Sequence, residues 1–174
     1  MISQVRESDK PAGEVRLLAD AMLGKLAKWL RLLGYDTTYN PAWDDPTIVR
    51  LARAEGRVVL TRDRELAARR GVRALLVAGD QLEQQMAQIV NELHLPPGLA
   101  GSRCSVCNAL LEPIAKSDVA GRVPPYVLRT QEVFRRCPRC DKIYWPGGHW
   151  ARMQPVMSRL QDAGGKRQDA GGNS

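Results

Sequence analysis

No stretch of the 174 residues approaches the run of about 20 apolar side chains that spans a bilayer, which excludes a transmembrane helix as the organising element. Residues 1–13 (MISQVRESDKPAG) are polar and have no apolar centre of the kind a signal peptide carries, so a cytoplasmic location is expected. The glycine-rich loops that cradle nucleotides are missing too. After the first apolar run the sequence reads Ala19-Asp20-Ala21-Met22-Leu23-Gly24, not G-x-G-x-x-G, and no P-loop occurs anywhere. A receiver-type phosphoacceptor domain gathers a pair of acids after its first strand, whereas one carboxylate stands there here. Aromatic residues make up only 5% of the chain, and the first hundred residues contain no cysteine.

What is present divides into two halves. Hydrophobic residues are 44% of the chain, enough for one medium domain with a true core plus a small accessory unit. The net charge of +7 is unevenly placed: residues 14–95 hold 12 basic and 11 acidic side chains, residues 96–160 hold 10 and 4. A basic second half suits a polyanionic partner, and serves solubility equally well.

In residues 14–95 short apolar runs alternate with helical patterns. VRLLAD (15–20) is followed by MLGKLAKWLRLLGY, in which Leu23, Leu26, Ala27, Leu30 and Leu33 recur at helical spacing until Gly34. DTTY (36–39) is β-prone and precedes a helix for which Asp45 is the expected N-cap, with Pro46 in the first turn and Gly56 as the stop. Arg57 to Asp63 (RVVLTRD) is a buried strand ending abruptly in a hydroxyl, a cation and a carboxylate. A helix over 65–70, a fourth strand ALLV (74–77) and an amphipathic helix over 80–93 follow. This alternation implies right-handed βαβ crossovers and an α/β fold, a mostly parallel sheet with helices on both faces. Pro96-Pro97-Gly98 marks the boundary to a second unit over 96–160, and the Gly-rich tail 161–174, like residues 1–13, is expected to be disordered.

Parallel strands carry their carboxyl ends to one edge, where α/β ligands bind. Asp20 ends the first strand, Asp44 and Asp45 open the helix after the second, and Asp63 ends the third. Clustered carboxylates repel one another unless a cation offsets them, and hard oxygen ligands suit Mg²⁺ or Mn²⁺, an arrangement fitted to phosphodiester hydrolysis. Lys25 and Arg62 could hold substrate phosphates beside it. Each acid has a plainer role open to it as a helix cap, and each cation as a solvated side chain.

The second half contains Cys104-Ser105-Val106-Cys107 and Cys137-Pro138-Arg139-Cys140, two C-x-x-C knuckles 29 residues apart. Two knuckles complete a four-thiolate tetrahedron, so a structural Zn²⁺ ion is expected on a small ribbon whose β-prone runs include Tyr126 to Leu128 and Glu132 to Phe134. KIYWPGGHW (142–150) concentrates the scarce aromatics beside Arg135, Arg136, Arg139 and Lys142. Trp145 and Trp150 either stack on bases or pack the ribbon against the first domain. His149 is open to a structural role, a phosphate contact or a substitute metal ligand.

Taken together, LLADAMLGKLAKWLRLLGYD, DDPTIVRLARAEGRVVLTRD, the two knuckles and IYWPGGHW resemble the Mut-seven C-terminal ribonuclease domain family, a PIN-like nuclease domain followed by a zinc ribbon, over roughly residues 15–160. The resemblance implies a PIN-like sheet, RNA as partner and substrate, and Asp20, Asp45 (with Asp44 adjacent) and Asp63 as catalytic, Mg- or Mn-holding positions. Lys25, Arg62, Arg136 and His149 are then the expected substrate contacts. Two departures stand out: the nearest candidate for a fourth acid, Asp80, follows the fourth strand out of clear alignment, and Gly148 occupies the place expected for a serine. Two other readings stay open, a non-catalytic RNA-binding or adaptor protein and a toxin-like nuclease controlled by a partner. Oligomeric state is not legible.

Overall fold

The three apolar runs and the β-prone DTTY form one fully parallel sheet in a computed structural model that describes residues 15–96, 98, 100–147, 155 and 158. The strands β1 (Leu17–Ala19), β2 (Thr37–Tyr39), β3 (Val58–Thr61) and β4 (Ala74–Leu76) lie in the order β2-β1-β3-β4. Residue Ala19 pairs with Tyr39 on one side and Leu60 on the other, so the carboxyl ends of β1, β2 and β3 finish level. His149, Gly148, Trp150 and the two terminal segments expected to be disordered lie outside the described residues.

Helices cover both faces, as the α/β reading expects, and the strand pleat decides which residue meets which helix. Leu17, Ala19, Val58 and Leu60 face one layer, packed by Leu26 and Leu30 of α1 (Gly24–Leu32) and Met86 and Ile89 of α4 (Leu82–Glu92). Leu18 and Val59 point the other way, onto Ile48 and Ala52 of α2 (Asp45–Glu55) and Leu66 of the single-turn α3 (Arg64–Ala67). Gly56 stops α2 in the left-handed conformation, φ 64°, which a side chain would strain. Among the described residues no helix is long and apolar enough to cross a membrane.

The second unit is a three-stranded antiparallel ribbon, β5 (Glu112–Ile114), β6 (Phe134–Arg136) and β7 (Ile143–Tyr144), with β6 central. Two local expectations fail here. Tyr126 to Leu128 lie in a helix, α5 (Pro125–Thr130), and the central strand begins at Phe134, where the β-prone run ends. Pro124-Pro125 presets a helix start, and α5 buries Val127 against Val119 and Phe134, so tertiary packing overrides the strand propensity of Tyr-Val-Leu.

The ribbon is fastened to the sheet at its amino edge. Tyr35 donates its hydroxyl to the Pro96 carbonyl (3.0 Å), Gly101 N–H donates to Leu32 (2.9 Å), and the Asn108 side chain bridges the Thr37 amide (3.1 Å) and the Asp36 carboxylate (2.8 Å).

Candidate functional sites at the sheet edge and the cysteine knuckles

Asp20 leaves β1 beside Thr61, the last residue of β3, because the β1–β3 register places Ala19 opposite Leu60. It is buried, 8% exposed. Its Oδ1 accepts from the Ala21 amide (2.6 Å) and its Oδ2 from the Thr61 hydroxyl (2.8 Å). The same hydroxyl oxygen accepts the Asp63 amide (2.9 Å), so one fully buried threonine joins two acid-bearing strand ends. Asp63 in turn caps α3, its Oδ1 accepting from Glu65 (2.7 Å) and Leu66 (3.3 Å). A hydroxyl both donates and accepts, which is why this position suits threonine.

At the neighbouring strand end the cap falls one residue earlier than the sequence suggests. Asp44, not Asp45, caps α2, with Oδ1 accepting the Thr47 amide (3.0 Å). Pro46 has no amide to offer, so the first free donor within reach of a cap is Thr47, three residues after Asp44. The hydrogen bonds from Thr47 hold the Asp44 carboxyl below the usual carboxylate range. The Asp45 side chain, in the first turn, makes no hydrogen bond or ion pair among the described residues.

Lys25 and Arg62, the expected phosphate contacts, come to one cavity. Both line a cavity of about 390 Å³ with Met22, Leu82, Gln85 and Asp80. Arg62 pairs with Asp80 at 2.9 Å, which places the candidate fourth acid at this edge, although the exposed pair itself contributes little stability. The first three acids are less tightly gathered. Among the described residues the four cysteines are the one set of three or more potential metal-binding side chains whose ligand atoms all come within 4.8 Å of one another.

That cysteine set is compact. Sγ–Sγ distances of 3.5 Å (Cys104–Cys140), 3.4 Å (Cys107–Cys137) and 3.9 Å (Cys107–Cys140) lie around the ~3.8 Å edge of a tetrahedron with zinc–sulfur bonds of about 2.3 Å. The thiols are free of disulfides. Burial pushes the Cys104 thiol up, but hydrogen bonds from the Tyr144 hydroxyl and the Cys107 and Val106 backbone bring it down to about 6. Burial pushes Cys107 up, and the neighbouring thiols add to that shift. One thiol ionises readily and opposes the next, so four thiolates together call for a cation. Arg136, on β6, lies 3.9 Å from both Glu112 and Asp141, away from the edge that carries the acids.

Sequence reasoning missed Thr61 as the link between Asp20 and Asp63 and Tyr144 as a partner of Cys104. The hydroxyl at the end of β3 was the visible signal for the first, but the register that gives it a role is a property of the sheet.

A family model described as the Mut7-C RNAse domain matches residues 15–157, spanning the parallel sheet, Asp20, Asp44, Asp45, Asp63 and Asp80, and both knuckles. Comparison with curated proteins and with solved structures finds no match. With most of its length matched, the chain belongs to the Mut7-C RNAse domain family.

Proposed function

We propose that the protein hydrolyses RNA phosphodiester bonds at the carboxyl edge of its parallel sheet, with Mg²⁺ or Mn²⁺ held by Asp20, Asp45 and Asp63 and with Asp44 adjacent. The observation that carries this reading is the Thr61 hydroxyl, which holds the Asp20 side chain and the Asp63 backbone to one point of that edge. The donor set fits a hard cation. Asp45 is unengaged, and the hydrogen bonds to Asp63 fall on Oδ1, leaving Oδ2 to other partners. Mg²⁺ and Mn²⁺ keep several of their waters, so one or more of these acids would hold the ion through water. When bound, such an ion lowers the pKa of a coordinated water and offsets charge on the phosphate. Lys25 and Arg62 would hold the phosphate from the adjoining cavity, while Thr61 keeps Asp20 from turning away. The four cysteines would bind a structural zinc ion, and the excess positive charge of the ribbon would raise the local RNA concentration.

The test is cleavage of RNA with added Mn²⁺. Activity should disappear on chelation and fall at least a hundredfold in Asp63→Asn; activity indifferent to both sinks the proposal. One observation favours a second reading, a non-catalytic RNA-binding module: Asp20, Asp44 and Asp63 all accept backbone amides as helix caps. Titration of the zinc-loaded protein with Mn²⁺ separates the two, since the second reading expects no binding at the acidic edge.

A further inference from the structure

A cleft of about 570 Å³ opens between the exposed face of α1 and the ribbon, within the size range of small-ligand sites. Lys28, Arg135 and Lys142 line it, and among the described residues no carboxylate does. Elsewhere in the ribbon Arg122 pairs with Asp141 and Lys116 with Glu132, each at 2.6 Å. Among the described residues the three cleft cations have no such partner. Unpaired charge of one sign favours an anionic occupant.

The remaining wall is aromatic and apolar. Tyr126 is 61% exposed at the lip, and Trp145 stands in the same wall. Trp145 is half-buried, packed against the ribbon cluster of Val119, Val127 and Phe134, while Tyr126 is open. Rings beside cations without an acidic partner are what an unpaired nucleotide uses, its base stacking while its phosphate meets the charge.

Position on α1 favours RNA over an acidic peptide. Lys28 and Leu32 line this cleft, and Lys25, three residues earlier on the same helical face, lines the cavity with Arg62 at the acidic edge. Residues 24–32 contain no acid. From Lys25 to Leu32 the helix rises about 10 Å, roughly two nucleotides of extended strand. A strand engaged at the edge cavity therefore reaches the cleft without crossing a negative side chain of the helix.

We propose that this cleft binds an unpaired nucleotide of a single-stranded RNA, one lying about two nucleotides from the phosphodiester engaged at the sheet edge. Tyr126 and Trp145 stack on its base, and Lys28, Arg135 and Lys142 hold the flanking phosphates. The assignment rests on the ribonuclease reading for its substrate, and deepens it by giving the enzyme a preference for unpaired over duplex RNA.

The experiment is fluorescence anisotropy of a short labelled single-stranded RNA with the zinc-loaded full chain, no Mg²⁺ or Mn²⁺ added. Tyr126→Ala and Lys142→Ala, both at exposed positions, should each weaken binding about tenfold. Tyr126→Phe should bind like wild type, and Lys142→Ala should lower the salt slope by about one. Wild-type affinity in both alanine variants overturns the assignment. So does a polyglutamate peptide that binds where RNA does not and is lost in Tyr126→Ala. Because no cleavage is read, weakened binding supports the cleft even where Asp63→Asn leaves hydrolysis unchanged. Conversely, Asp63-dependent cleavage with unaltered RNA affinity in the variants overturns the cleft alone.

Discussion

Arg31 Nη1 lies 2.8 Å from the carbonyl oxygen of Val106, inside the first cysteine knuckle. The same nitrogen also donates to Ser105 (3.3 Å), and Nε donates to the Thr37 carbonyl (2.7 Å). A guanidinium that is only 5% exposed thus ties the first cysteine knuckle to edge strand β2 of the parallel sheet. Order in the knuckle and order in the sheet are coupled, because loss of either leaves a buried cation with fewer acceptors.

Removing zinc should therefore loosen the first domain as well as the ribbon. The Thr37 amide, whose acceptor is the Asn108 side chain, is the most direct reporter. Its hydrogen exchange should accelerate at least tenfold on chelation, while that of Leu60, at the centre of the sheet, changes much less. Equal protection of Thr37 with and without zinc would show the two units to be independent.

Thr61→Val keeps the shape of a fully buried side chain and removes its hydroxyl. Asp20 loses a donor and the Asp63 amide loses its acceptor, at a cost of about 1–3 kcal/mol in stability. Under the proposed function the larger effect is kinetic: kcat for RNA cleavage should fall at least tenfold with little change in KM, since phosphate binding by Lys25 and Arg62 is untouched. Thr61→Ser, which restores the hydroxyl, should recover most of the rate. Equal rates in the valine and serine variants would remove Thr61 from the site.

Adjacent Asp44 and Asp45 divide their roles. Asp44→Ala removes the N-cap of α2 and should lower stability by about 1 kcal/mol, read from urea unfolding. Asp45→Asn touches no hydrogen bond and should leave unfolding nearly unchanged while reducing cleavage and Mn²⁺ affinity. The opposite pattern, stability lost at Asp45 and activity at Asp44, would exchange their assignments.

The parts legible in sequence were those written in contiguous residues. Val58 to Thr61 and Leu17 to Ala19 read as strands because parallel strands are buried on both faces, and the two C-x-x-C spacings carry the four-thiol cluster within two short motifs. What escaped depends on partners distant along the chain. Arg31 looks like one more polar residue of an amphipathic helix, and two of its three acceptors lie 74 and 75 positions away. Tyr126 to Leu128 have strand-forming side chains, yet the core that Val127 joins favours a helix. Two neighbouring aspartates cannot be ranked as caps from composition, because the choice turns on which free amide comes within reach.

Asp36 sets the last expectation, for acid stability. It sits just before β2, its Oδ1 accepting from Arg57 (2.7 Å) and Asn108 (2.8 Å), with Arg103 3.7 Å from Oδ2. Burial raises its pKa, but hydrogen bonds from Arg57 and Asn108 outweigh that and hold the carboxyl below its ordinary 3.8. A folded pKa below the unfolded one means the unfolded chain binds the proton more tightly. The contribution is therefore complete above pH 3.8 and disappears as pH falls through the folded value. Asp36→Asn leaves Arg57, 8% exposed, with Glu55 (2.5 Å) as its remaining carboxylate partner and should lose about 2 kcal/mol at neutral pH. Urea unfolding of both proteins should show that gap narrowing below pH 3.8, as protonation makes the wild-type side chain neutral too. A gap that stays constant down to about pH 3 would place the cost in lost packing instead of charge.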